Sequence, residues 1–219
     1  MGGMIPLADE SRRPVSLPVA TTTIIGINVV VFILELMGGD QFVTRWSEIP
    51  AEVVAGHRLI TLLTSIFLHA GVMHIVGNMV FLHAFGPRVE DAMGAVKYSI
   101  FYLLCGLAAS LAQTAVMPHS TLPSLGASGA IAGVMGAFLV ISPGDEIKTL
   151  WFFGFFVRVT FIPAFLLIGV WFLIQLFDQV GSLADVQSGG VAYAAHVGGF
   201  LFGAITGRLF ARSPDSSEW

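Results

Sequence analysis

Long apolar runs with almost no charge fill most of the chain, and they limit its possible folds more than any motif does. Residues 19–37 contain one charged residue, Glu35; residues 95–116 contain only Lys97; residues 162–179 contain only Asp178. About 20 such residues in a helix cross roughly 30 Å of hydrocarbon. Charged residues make up 11% of the 219 and mean hydropathy is +0.84, whereas soluble domains carry about 25% charged residues. The chain therefore reads as an integral membrane protein.

Six segments are expected to span: 19–37, 73–85, 95–116, 128–143, 162–179 and 191–210. The fold class predicted is an all-α, polytopic membrane protein with one six-helix domain over 19–210 and polar tails at 1–18 and 211–219. Between the first two segments lies a long loop whose apolar stretch, 58–68, is too short to span and is expected to be interfacial or partly embedded. Residues 150–160, with Trp151 and four phenylalanines, fit none of the spans. No basic-then-apolar cleavable signal precedes Thr21, so the first run is expected to be retained.

The net charge of −4 is small and dispersed, which gives no reason to expect a nucleic-acid partner. Cys105 is the single cysteine, so no disulfide framework and no cysteine-based metal site are expected. Eight of the ten Lys and Arg residues fall in the tails, in the loops after the second and fourth segments, or, as Lys97 and Arg208, at the adjoining ends of the third and sixth segments. Only Arg45 and Arg58 lie on the other side. Positive charge is retained on the cytoplasmic side, so both termini are expected there.

A depth count then picks out a set of polar residues. The fourth segment covers 15 steps from Ser128 to Pro143, about 22 Å at 1.5 Å per residue, so Ser128 starts below the outer surface. His196 precedes Arg208 by 12 residues, and His74 and Asn78 precede Arg88 by 14 and 10; these give about 18, 21 and 15 Å. All four reach a similar height, and polar groups at membrane depth point to function. His74 and Asn78 are also i and i+4, on one helix face. Gly199, Gly203 and Gly207 on the sixth segment, with Gly129, Ala132, Gly133 and Gly136 on the fourth, allow close backbone packing. That packing would bring Ser128 to His196.

A serine beside a neutral imidazole can act as a nucleophile, with the imidazole as base and then as acid. The Ser128 backbone N–H, Asn78 and His74 are candidate donors to the developing oxyanion. Glu35 and Asp178 are the helix carboxylates at a height to orient His196, although a dyad is simpler. His69 is expected to be structural, as is Glu90 at the cytoplasmic boundary. His57, His83 and His119 lie off the site. No metal site is expected, because nothing has ligand spacing, and no cofactor is implied.

Three motifs resemble those of the rhomboid family of intramembrane serine proteases: Gly126-Ala127-Ser128-Gly129, His69-x4-His74-x3-Asn78, and Ala195-His196-x2-Gly199-x3-Gly203. Gly86-x2-Val89-Glu90-x3-Gly94 is similar to the family's turn after helix 2. The resemblance implies a six-helix bundle, a Ser128–His196 dyad, and an oxyanion site of His74, Asn78 and the Ser128 amide. It also implies transmembrane protein substrates cut near the outer face, lateral entry by the fifth helix, and a bacterial inner-membrane setting. Two departures stand out. Ile60-Thr61 occupies the place of a Trp-Arg pair, and Ala132 occupies the place of an aromatic ring against the histidine. The other readings are a proton-coupled transporter and an inactive rhomboid-like membrane chaperone.

Overall fold

The computed structural model describes residues 3–11, 17–153, 156–184 and 192–212. Arg12, Arg13, Val191 and the tail from 213 onward fall outside the described residues, as does the side chain of Asp178.

Six helices of 14 residues or more form the frame among the described residues: α1 (Val19–Trp46), α4 (Val72–Met93), α5 (Ala95–Val116), α6 (Ser128–Ile141), α7 (Ala164–Ala184) and α8 (Tyr193–Phe210). Two short helices, α2 (Pro50–Val54) and α3 (Thr61–Thr64), and a 3₁₀ turn (Ser65–Phe67) fill the long first loop. By length and apolarity α1 and α5 can each cross a membrane. A third crossing is counted if Thr61–Phe67 and Val72–Met93, bent by 92°, make one broken span.

Helix α6 is apolar all round, and the fold places it at the centre. Every residue from Gly129 to Phe138 is buried. Helix α8 lies along it so closely that there is no room for side chains at the crossing. A Cβ on Gly199 would strike the Gly129 carbonyl, and one on Gly203 would strike that of Gly133. On the other side a Cβ on Gly136 would strike the backbone of Phe200. Small residues four apart thus remove the steric barrier between two backbones. Tyr98, Phe101, Tyr102 and Cys105 of α5, with Phe85 of α4, complete the core. The outward faces are apolar instead: Val30, Leu36 and Met37 of α1, Phe177 of α7, and Ile205 and Leu209 of α8 are exposed.

Several boundaries differ from expectation. Gly39 has a non-helical backbone (φ 59°, ψ −157°) and kinks α1, but helix resumes to Trp46 instead of stopping near residue 37. Helix α4 runs through Pro87 to Gly94, because Val89, Glu90 and Met93 beyond the proline are buried and packing outweighs the one lost backbone bond. Glu90 is therefore on a helix and not in a turn. Its carboxylate accepts from the Ala20 N–H (2.8 Å), the Thr21 N–H (2.7 Å) and the Thr21 hydroxyl (2.7 Å). It caps α1, whose own N-cap position is Pro18 with no side-chain cap. At the other end of α1, Arg58 donates to the carbonyls of Thr44 (2.5 Å) and Arg45 (2.7 Å).

The all-α class needs correction: the fold is mostly helical but includes a three-stranded antiparallel sheet, ordered β1–β2–β3. The aromatic segment forms the hairpin β2 (Glu146–Phe153) and β3 (Phe156–Pro163). Part of the expected loose tail, Gly3–Asp9, adds as β1 along β2, with Gly3 opposite Phe152 and Asp9 opposite Ile147. Lys148 pairs with Glu10 at 3.0 Å. Pro163 ends β3 and so immediately precedes α7, not lying in its first turn.

Candidate active site

Ser128 opens α6, where the first N–H groups of a helix have no partner within it. The preceding loop is fixed from two sides. Gly126 donates its N–H to the Ser65 carbonyl at 2.9 Å, and Ser124 and Glu48 exchange backbone bonds at 2.7 and 3.1 Å. Gly126 has φ 135°, and a Cβ there would sit 2.9 Å from the His74 ring, so both backbone and space demand glycine.

Close α6–α8 packing brings His196 to the serine. Its Nε2 is 2.7 Å from Ser128 Oγ, and its Nδ1 is 2.5 Å from Gln175 Oε1 on α7. A carbonyl oxygen can only accept, so Nδ1 carries the proton and Nε2 presents its lone pair to the hydroxyl. The Trp171 ring lies 5.9 Å from the imidazole, tilted by 39°. An aromatic group thus reaches His196 from α7, where Ala132 on α6 cannot supply one.

His74 is set the opposite way. The Ala70 N–H donates to its Nδ1 at 3.2 Å, which leaves the proton on Nε2, the atom facing Gly126 beside Ser128. Asn78, one turn further along α4, is buried, and its Nδ2 has no hydrogen-bond partner. An orphaned buried donor is costly, and an arriving oxygen would satisfy it. The hydroxyl of Ser128, the His196 imidazole and the His74 ring thus meet beside Gly126, with Asn78 one turn further along α4, an arrangement suited to addition to a carbonyl.

Other candidates are placed elsewhere. Glu35 does not reach His196; its carboxylate accepts from the His69 backbone N–H at 2.9 and 3.2 Å. His69 is buried, 5.2 Å edge-on from His74, with the Phe67 backbone set against its ring. His57 pairs loosely with Glu52 at the surface (3.4 Å). No group of three or more His, Cys, Asp or Glu side chains that could hold a metal occurs among the described residues.

Three participants were not expected: Gln175, Trp171 and Glu48. Gln175 follows Pro163 by 12 residues, about 18 Å, so the same depth count reaches it once it is extended to the fifth segment. Glu48 is 1% exposed, accepts from the Thr114 hydroxyl at 2.6 Å, and lines a cavity beside Ser128 with Ser65, Ser110 and Ser124. Burial pushes its carboxyl up to about 7.

Comparison with known proteins gives the family. The Rhomboid domain model matches residues 56–213. The chain is 32% identical over 165 residues to RHOMBOID-like protein 6, mitochondrial, of Arabidopsis thaliana, covering 75% of this chain and 48% of that protein. Rhomboid protein 1, mitochondrial, of Saccharomyces cerevisiae is 31% identical over 206 residues, 89% of this chain and 54% of the relative. Rhomboid protease GluP of Bacillus subtilis is 29% identical over 182 residues, 81% and 35%. The chain thus spans about half or less of the length of these relatives. With a domain match over most of its length, this chain belongs to the rhomboid family.

Proposed function

We propose that the protein is an intramembrane serine endopeptidase with six transmembrane helices, α1 and α4 to α8. Ser128 Oγ attacks a peptide carbonyl carbon while its proton passes to His196 Nε2. The oxyanion is held by the Ser128 N–H, Asn78 Nδ2 and His74 Nε2–H. Collapse breaks the C–N bond, and the His196 proton goes to the leaving nitrogen. Water from the cavity beside Ser128 then attacks the acyl carbon with His196 again as base, the Ser128 Oγ–acyl bond breaks, Oγ takes the proton back from His196, and the carboxylic acid product leaves. The substrates are transmembrane proteins, cut near the outer face and entering laterally. The distribution of positive charge supports a cytoplasmic side for the termini, β1–β3 and Glu90.

The observation that carries this reading is the 2.7 Å contact of Ser128 Oγ with Nε2 of a buried histidine. A proton relay has no need of a serine there. The chain also matches Inactive rhomboid protein 1 of Drosophila melanogaster, 32% over 84 residues, so similarity alone does not decide activity. The intact Ser128–His196 contact favours the active reading. A fluorophosphonate should label the wild-type protein at Ser128 and leave Ser128→Ala unlabelled. A model transmembrane substrate should be cut only by the wild type. Cleavage by Ser128→Ala would end the proposal.

A further inference from the structure

We propose that Gln175 is the positioning residue for His196, holding the imidazole in the one neutral tautomer that can take a proton from Ser128. This rests on the protease reading above and concerns the control of that same site. A neutral imidazole has one N–H and one lone pair. With the proton on Nδ1, Nε2 can accept from Ser128 Oγ at 2.7 Å. With the proton on Nε2, the ring donates to Oγ and no base is present. Water, which would equalise the two forms, is largely kept away: His196 is 8% exposed and Gln175 is 9%. The acceptor on Nδ1 therefore selects the form, and that acceptor is Gln175 Oε1 at 2.5 Å.

Among the described residues, Glu35, the carboxylate considered for this role, is engaged by the His69 N–H. Among them too, the titratable side chains set against His196 are His74 from α4 and Tyr193 one turn earlier on α8, whose ring stands 6.4 Å away at 90°. Neither brings a carboxylate to Nδ1. A neutral amide does the orienting instead, which avoids burying an ion at membrane depth. Trp171 and Gln175 are i and i+4 on α7, so one face of that helix supplies both the ring beside the imidazole and the acceptor. The bond crosses from α7 to α8, so the base is complete only while those two helices are packed together.

The decisive measurement is the tautomer. Nitrogen-15 spectra of histidine-labelled protein in bilayers, with His196→Ala used to assign the signal, should show His196 in the Nδ1–H form. A dominant Nε2–H form in the wild type would overturn the proposal without any variant. In Gln175→Leu, and in the unbranched Gln175→Met, the signal should move toward Nε2–H or a mixture. Labelling of Ser128 by a small fluorophosphonate should slow roughly 10- to 100-fold. Such a probe needs no lateral entry, so a role of Gln175 limited to substrate access would change KM and leave both readouts alone. Wild-type labelling rates and an unchanged tautomer in a folded variant would refute the role of Gln175 only. Failure of the wild type to label would instead remove the protease reading itself.

Discussion

The two ends of the helix bundle bury polar groups in opposite ways. At the Glu90 end both carboxylate oxygens are taken by three donors from the start of α1, all within 2.8 Å. At the Ser128 end Asn78 Nδ2 is buried without a partner among the described residues. A charge saturated by its neighbours stabilises the fold. Donors left unpaired lower stability and are retained where a ligand is to complete them. The two ends should therefore respond oppositely to substitution, one losing stability and the other losing chemistry.

The largest effect should come from Ser128→Ala or His196→Ala. Each should lower cleavage of a model transmembrane substrate by about 10⁴-fold or more, with thermal unfolding little changed. A large drop in stability would mean that the pair is structural and would break the comparison. Asn78→Ala comes next. Losing one oxyanion donor costs about 10²–10³ in kcat, and removing an orphaned buried amide should leave stability equal or higher. Unchanged kcat would remove Asn78 from the site. Glu90→Ala should do the reverse. Stripping the cap from α1 should cost about 3 kcal/mol, with a melting temperature lower by roughly 6–12 °C. Fluorophosphonate labelling per folded molecule should persist.

What could be read in advance depended on whether the signal was local. The Gly199/Gly203 and Gly129/Gly133 spacing could be read because backbone approach depends on missing side chains, and that absence is visible in sequence. The heights of Ser128, His196, His74 and Asn78 followed from a fixed rise per residue. The sheet could not be read this way. Gly3 pairs with Phe152, a long-range contact, and the prolines of the tail suggested a loop, although Pro6 is compatible with an edge strand. Pro87 read as a helix end because its cost is local, while the burial of Val89, Glu90 and Met93 that offsets it is tertiary. Gln175 is not legible in the same way, because only carboxylates, Glu35 and Asp178, suggest themselves as partners to orient His196, although an amide suffices to fix a tautomer.

The smallest effect tests where the two ends meet in character, at Glu48. It lies in the connection between α1 and α2, bonded through its backbone to Ser124 just before the nucleophile. Its carboxyl is saturated less fully than that of Glu90, with a bond from Thr114 at 2.6 Å, and burial holds it up at about 7. The folded protein therefore binds this proton more tightly than the unfolded chain does. Stability from this group is greatest below the ordinary carboxylate range and is lost as pH rises toward about 7. Glu48→Gln keeps an acceptor for the Thr114 hydroxyl and removes the titration. Melting temperatures followed from pH 5 to pH 8 should fall for the wild type by a few degrees more than for Glu48→Gln. The variant should be the more stable of the two at the alkaline end. Parallel profiles would mean that Glu48 stays ionised throughout, saturated like Glu90, and the cavity beside Ser128 would then belong with the stabilising end of the molecule.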